Sequence, residues 1–259
     1  MGVVNVTPDS FSDGGRFLDP EAAIAHAQQL IAEGADILDL GAESSRPGAA
    51  AVIGAEEELR RLLPVLRALS DAPVPLSIDT IKPEVMRVVL AEGAAMINDI
   101  NALRAPGALA AVAASDAAVC LMHMQGTPGT MQRQPSYGDV VAEVKAFLFE
   151  RVEAVRAAGI PLQRVSIDPG FGFGKMLEHN LELLRQLRQF ESLGVPLLAG
   201  WSRKSSLGQI TGRPAGERLA ASVAAALIAA QNGASILRVH DVAATRDALA
   251  VLAAVGKIT

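Results

Sequence analysis

The stretch PEAAIAHAQQLIAEGADILDLG, residues 20–41, contains one complete structural unit of this chain. Its first part spaces Ala, Ile and Leu at helical intervals, and the pair Gly34-Ala35 suits a helix C-terminus. ILDLG (37–41) then reads as a short buried strand. The unit recurs along the chain. Further strands are expected at GVVNV (2–6), PLSID (75–79), MINDI (96–100), VCLMHM (119–124), VSIDPG (165–170), PLLAG (196–200) and ILRVH (236–240). Helical segments such as EEELRRLLPVLRALS (56–70) and RLAASVAAALIAAQNGA (218–234) lie between them, and Gly-Ala pairs return at Gly93-Ala94 and Gly233-Ala234. Strands alternating with helices imply parallel pairing through right-handed crossovers. Eight such units in roughly 250 residues match a closed (β/α)8 barrel. The fold expected is therefore α/β, one TIM-barrel domain over residues 1–259. An open doubly wound sheet is the alternative, and it has less support: no strand runs into a GxGxxG turn, and no shift in composition divides the chain.

Composition agrees with this reading. Half of the 259 residues are apolar but only 3% are aromatic, so Ala, Val, Leu and Ile must fill the core. Cys120 is the only cysteine, which excludes an internal disulfide and fits a reducing compartment. No basic-then-apolar signal opens the sequence. The longest apolar-plus-serine run, 219–230, is shorter than the roughly 18–20 residues needed to span a bilayer. A net charge of −5 gives no support to a nucleic-acid surface. A cytoplasmic protein is expected, with neither a nucleic acid nor a membrane as partner.

On such a barrel, chemistry gathers at the C-terminal ends of the strands. Those ends carry Asn5, Asp39, Asp79, Asn98 and Asp99, His123, Asp168, and Arg238 with His240. Polar residues at nearly every strand end need partners that a dry core does not offer. Asp79, Asn98 and Asp168 together suit a flat, donor-rich heterocycle, because a carboxylate accepts paired hydrogen bonds. Each alone would more simply be a helix cap or a strand tie. Arg46, Lys175, Arg203, Lys204, Arg238 and His240 bring local positive charge suited to phosphate. Ordinary surface charge would equally explain Lys175 and Arg203, but not Arg238 and His240, which share one side of an apolar strand. GFGFGK (170–175) lacks phosphate-loop spacing. It reads either as a plain turn or as a rim offering Phe171 and Phe173 for stacking. His26, His123, His179 and His240 lack zinc spacing, and His123 and Cys120 read as buried strand residues. A Mg²⁺ needs only one or two protein oxygens, and Asn5 could supply one.

NVTPDSFSDGG (5–15), ESSRPGA (43–49), SIDTIKPEV (77–85), INDI (97–100), LMHMQGTPGTMQ (121–132), DPGFGFGK (168–175), SRKS (202–205) and RVHDV (238–242) follow one another in this order. Together they resemble the bacterial dihydropteroate synthase family, a pterin-binding family, over essentially the whole chain. The resemblance implies a transferase of folate biosynthesis. It would join 4-aminobenzoate to 6-hydroxymethyl-7,8-dihydropterin diphosphate and release diphosphate. It also implies Mg²⁺ on Asn5, and a homodimer. Asp79, Asn98, Asp168 and Lys204 would bind the pterin. Arg238 and His240 would take the diphosphate, with Ser45 and Arg46 nearby. Phe11, Pro47, Phe173 and Ser205 would shape the aminobenzoate pocket. Asp79, Lys204, Arg238 and His240 are the residues expected to carry catalysis.

Three positions depart from the family pattern: Ser45 for threonine, Ala42 for glycine, and Trp201 at a variable apolar position. The family's N-terminal β-hairpin does not precede the first strand here, so apolar side chains are expected to be exposed at the barrel bottom. Two other readings fit part of the pattern. A pterin-dependent methyltransferase has no use for Lys204, Arg238 and His240. A silent pterin-binding paralogue would not need Asn5, Arg46, Lys204, Arg238 and His240 intact.

Overall fold

The structure, a computed structural model, describes residues 1–6, 20–43 and 53–256. Among the described residues eight strands form: β1 (Gly2–Asn5), β2 (Leu38–Gly41), β3 (Leu76–Asp79), β4 (Met96–Asp99), β5 (Ala118–Met122), β6 (Val165–Asp168), β7 (Leu198–Ala199) and β8 (Ile236–Leu237). β1 to β6 pair in parallel in chain order, and β7 pairs with β8. Two further parallel bridges complete the ring, Ile167 with Leu197 and Gly2 with Val239. The backbone bonds at these seams are well formed: Ile167 N donates to Pro196 O at 2.9 Å, and Val3 N to Val239 O at 3.0 Å. Closure removes both sheet edges, so the open-sheet alternative falls. β7 and β8 are shorter than the segments read from the sequence, and single bridges join them to their outer neighbours.

The helices are α1 (Pro20–Ala32), α2 (Ala55–Ala68), α3 (Pro83–Ala91), α4 (Ala108–Ala113), α5 (Val140–Ala157), α6 (Leu177–Arg185), α7 (Ser205–Thr211), α8 (Leu219–Gln231) and α9 (Val242–Ala254). Each of β1 to β6 is followed by one helix, β7 by α7 and α8, and β8 by α9. The Gly-Ala pairs end α1, α3 and α8 in the same way. Each glycine takes a positive φ (92°, 95° and 97°), which lets the next amide turn back. Ala35 N then reaches Leu30 O, Ala94 N reaches Val89 O, and Ala234 N reaches Ala229 O, at 2.9 to 3.0 Å. These bonds satisfy the last carbonyls and aim the chain into the next strand. The local motif therefore sets the repeat.

Side chains alternate across each strand. Val4, Leu40, Ile78, Ile97, Leu121 and Ile167 face outward into one apolar layer with helix residues such as Leu30, Leu62, Met86 and Leu148. The inward set begins at the bottom with Met1, Met96, Cys120 and Leu198, all buried. Ile37, Ala118 and Ile236 are only partly buried beside them. At the end where exposed apolar side chains are expected, the lumen is thus closed by four buried ones and bordered by three that are partly open. Above this plug the lumen turns polar. Asn98 of β4 bonds Asp39 of β2, skipping the intervening strand, so the contact crosses the barrel interior.

Phe190, fully buried in the layer between strands and helices, tests that packing. Phe190→Ala should cost about 3–5 kcal/mol in urea unfolding. Phe149→Ala, at a ring 53% exposed on α5, should stay within about 0.5 kcal/mol.

Candidate active site

The polar layer is organised around one guanidinium. Arg238 Nε donates to Asp39 Oδ2 at 2.6 Å, and its Nη2 donates to Asp79 Oδ2 at 3.1 Å. Asn98 Nδ2 donates to the same Asp39 oxygen at 3.1 Å. Asp39 is fully buried, and an unpaired carboxylate there would cost several kcal/mol. The cation directly after β8 therefore offsets the anion from β2 and reaches on to Asp79 at the end of β3. Burial pushes the Asp79 carboxyl up, to about 7, against the pull of Arg238 and with the help of Asp39 and Asp99. Arg238 stays charged: burial disfavours its cation, but Asp39 and Asp79 more than compensate.

Asp168 is buried at the end of β6, and one of its oxygens accepts Gly170 N at 2.7 Å. Burial raises this carboxyl as well, opposed by Lys204. Lys204 arrives from the loop after β7. Its Nζ donates to Phe171 O at 2.5 Å and stands 4.5 Å from the centre of the Phe173 ring. Burial lowers the Lys204 ammonium to about 8, with Asp168 as the main opposing charge. Glycines leave room beside both acids. A Cβ on Gly41 would lie 3.5 Å from Asp79 Cβ, and one on Gly200 would lie 3.8 Å from an Asp168 oxygen. The result is a polar cluster at the C-terminal ends of the strands, formed by Asp79, Asn98, Asp168, Lys204 and Arg238.

The loops after β7 and β8 are tied together beside this cluster. His240 N donates to Ser202 Oγ at 3.2 Å, and His240 Nδ1 lies 3.1 Å from the same hydroxyl. The Arg203 guanidinium pairs with Asp241. Arg203 itself adopts φ +58°, a costly conformation for a non-glycine residue, held by its N–H on Ser222 Oγ at 2.9 Å. That turn immediately precedes Lys204. Asn5 ends β1 partly buried, with no bond to its side chain among the described residues, so its amide oxygen is available to a cation. Among the described residues no three His, Cys, Asp or Glu side chains gather as a metal cage. A lone amide oxygen nevertheless fits a Mg²⁺ that is otherwise bound by water and phosphate.

The expected residues thus fall into three groups. Asp79, Asn98, Asp168, Lys204 and Arg238 come together, with Phe173 under Lys204 and His240 tied to the neighbouring loop. Ser205 is exposed at the start of α7, and it is Ser206 whose hydroxyl takes the Trp201 indole N–H at 2.5 Å. Phe11, Ser45, Arg46 and Pro47 lie outside the described residues.

Two readings need correction, and one further strand-end residue finds its partners outside the lumen. Phe171 is not free to stack on a ligand: it is fully buried, parallel to Trp201 with ring centres 5.0 Å apart. Lys175 is not surface charge but is buried against His123. Asp99 points away from the lumen and caps its own turn, accepting Asn101 N at 2.6 Å and Leu103 N at 2.7 Å. Arg203, by contrast, is the exposed charge that the simpler reading expects. The residue passed over is Asp39, seen at a strand end but given no part. Its signal is an acid at an inward position within an apolar strand.

The raised Asp79 carboxyl has a consequence for stability. A folded value near 7 against an ordinary 3.8 means the folded state holds a proton that the unfolded chain has already lost. The associated stability is fully present below about pH 4 and is lost as pH rises through about 7. Asp79→Asn should therefore flatten the fall in unfolding free energy between about pH 4 and 7. Equal slopes for both proteins in urea titrations would place the shift elsewhere.

Comparison with known proteins agrees with this geometry. Residues 1–240 match the family model described as "Pterin binding enzyme". The chain is 51% identical to the dihydropteroate synthase of Escherichia coli strain K12 over 255 residues, covering 98% of this chain and 90% of that one. Its fold superposes on that of Xanthomonas albilineans dihydropteroate synthase with 4-aminobenzoic acid at a TM-score of 0.93 and 58% identity, covering 100% of this chain and 93% of that one. A complex of the Xanthomonas albilineans protein with 7,8-dihydropteroate gives a TM-score of 0.90 at 54% identity, with the same coverage. With the family model spanning more than nine-tenths of its length, the chain belongs to the pterin-binding enzyme family.

Proposed function

We propose that this chain is a transferase that condenses 6-hydroxymethyl-7,8-dihydropterin diphosphate with 4-aminobenzoate, releasing diphosphate and forming dihydropteroate for folate biosynthesis. The observation that carries this reading is the gathering of Asp79, Asn98 and Asp168 with Lys204 and Arg238 at the ends of the strands. It occurs in a chain half identical to dihydropteroate synthases. Asp79, Asn98 and Asp168 offer acceptors and a donor to the edge of a pterin ring, and Lys204 offers a donor from above. Arg238 spends Nε and Nη2 on the two acids, which leaves Nη1 for the diphosphate beside His240. Asn5 would hold a Mg²⁺, which would neutralise charge on the leaving diphosphate. As the diphosphate departs, positive charge develops on the pterin methylene, and the carboxylate form of Asp79 would stabilise it in a low-dielectric site. The neutral arylamine then attacks without a strong base. The reading places the protein in the cytoplasm, and no described helix is long and apolar enough to cross a membrane.

A second copy of the chain is the partner this reading implies, and α8 supports it. The helix LAASVAAALIAAQ carries no charge, and Ala220, Ala224 and Ile228 lie exposed on its outer side. A helix apolar all round ordinarily has both faces covered. Leu219 on α8, Ile210 on α7 and Val251 on α9 extend the exposed apolar surface. Ile228→Glu should convert a dimer to a monomer in sedimentation velocity, and a wild-type monomer at micromolar concentration would remove the homodimer.

Mixing the protein with both substrates and Mg²⁺ should release diphosphate and form dihydropteroate in equal amounts; release without product, or neither, counts against the proposal. Asp168→Asn presents a donor to ring donors and should weaken pterin binding by about 1–3 kcal/mol. Calorimetry showing unchanged affinity in a folded variant would remove Asp168 from the pocket.

A further inference from the structure

Between β6 and α6 the chain forms a strip, residues 170–174, in which every carbonyl has a protein donor. Gly170 O accepts Phe173 N at 3.1 Å, Phe171 O accepts Lys204 Nζ at 2.5 Å, and Phe173 O accepts Lys175 Nζ at 3.0 Å. Gly172 O accepts the Gln132 amide, and Gly174 O accepts the Tyr137 hydroxyl at 2.8 Å. Surface loops usually leave such groups to water. The strip also lies directly on the chain leaving β5. A Cβ on Gly170 would sit 2.0 Å from His123 O, and one on Gly174 would sit 2.4 Å from Gln125 O, at φ +72° and +61°.

The donors behind the strip are themselves held. Lys175 is buried, and its Nζ also contacts His123 Nδ1 at 2.9 Å and His123 O at 3.4 Å. The His123 ring meets Phe147 edge-on at 4.9 Å, and the Tyr137 ring meets His179 in the same manner at 4.9 Å. Phe173 is buried against Ile100, Met122, Met124 and Met131, with the Lys204 ammonium 4.5 Å from its ring centre. Neither Lys175 nor Tyr137 is hydrogen-bonded to a side chain of the polar cluster, and Lys175 acts on it only through its charge beside Asp168. We infer that Tyr137 and Lys175 are positioning residues that clamp the 170–174 strip from behind, so that Phe173 is presented as a fixed wall beneath Lys204 on the aminobenzoate side of the site. This rests on the proposed function, which puts Phe173 beside the arylamine. Sequence reading passed over both: Tyr137 attracted no reading, and Lys175 read as surface charge or an anion contact.

Tyr137→Phe removes one hydroxyl and keeps the ring, while Lys175→Met keeps the stem and removes the amine. Both variants should raise KM for 4-aminobenzoate, on the order of threefold and tenfold, because small misplacements of a binding wall are costly. KM for the pterin diphosphate and kcat should stay within about twofold. A merely structural role would instead lower the folded fraction, and so the maximal rate, with KM unchanged. In a Phe173→Ala background, Tyr137→Phe should add nothing to the arylamine KM, since the two act through one wall. Trp201, the chain's one tryptophan, stacks on Phe171 of the strip, so its emission should shift in both variants. Unchanged Trp201 emission in folded Tyr137→Phe and Lys175→Met proteins, or additive effects with Phe173→Ala, would overturn the clamp. A wild-type protein that makes no dihydropteroate would overturn the proposed function, and Trp201 emission would still judge the clamp.

Discussion

The bond network of Arg238 with Asp39 and Asp79 is the constraint on which the rest of the lumen depends. Charges placed inside a barrel must be matched there, since water cannot reach them freely and an orphaned ion costs several kcal/mol. The three residues come from the position after β8, from β2 and from β3, which only ring closure brings together. The seam between β8 and β1 is therefore a condition of the site and not only of the fold. The same arrangement explains the division of the interior. An apolar plug of Met1, Met96, Cys120 and Leu198 seals the bottom, and polar groups accumulate above it toward the mouth.

Electrostatic strain follows from this placement. Asp79 and Asp168 are both pushed toward protonation by burial, and Lys204 toward neutrality. Groups held in that state are less stable alone than with a ligand of matching hydrogen bonds, so stability is given up where binding is to occur. Backbone strain is found at the same mouth, with Arg203 at φ +58° directly before Lys204. Both costs are carried by surroundings that are otherwise conventional: an apolar outer layer and helices ended by repeated glycine caps.

The strip at 170–174 and the connection behind it show a second way of holding a site. The acids and the arginine are fixed by strands, whereas Phe173 and Lys204 stand on loops. A loop can position a side chain well only if its own backbone is satisfied and packed, and here each carbonyl of the strip has a donor. Loops of this kind act as extensions of the scaffold and not as free segments.

The repeated unit of helix, Gly-Ala and buried strand was legible in the sequence because it is local: period, cap and strand composition all lie within about twenty residues. The acids and bases at strand ends were legible for the same reason, since the fold puts strand C-termini on one rim. What the sequence could not assign was direction and depth. Asn98 and Asp99 are adjacent and equally polar, yet one faces the lumen and the other caps a turn outside it, because pleat parity is set by pairing with β3 and β5. Phe171 and Phe173 are two residues apart in a glycine-rich run, yet one stacks on Trp201 in the main apolar layer and the other packs with Ile100, Met122, Met124 and Met131 under Lys204. Lys175 reads as a solvated cation until the fold places His123 and Phe173 O against its amine. The sequence by itself determined the barrel, its rim and the kinds of groups on it. The tertiary structure decided which of those groups meet, because burial and partners come from segments as far apart as residues 39 and 238, whose encounter no local pattern encodes.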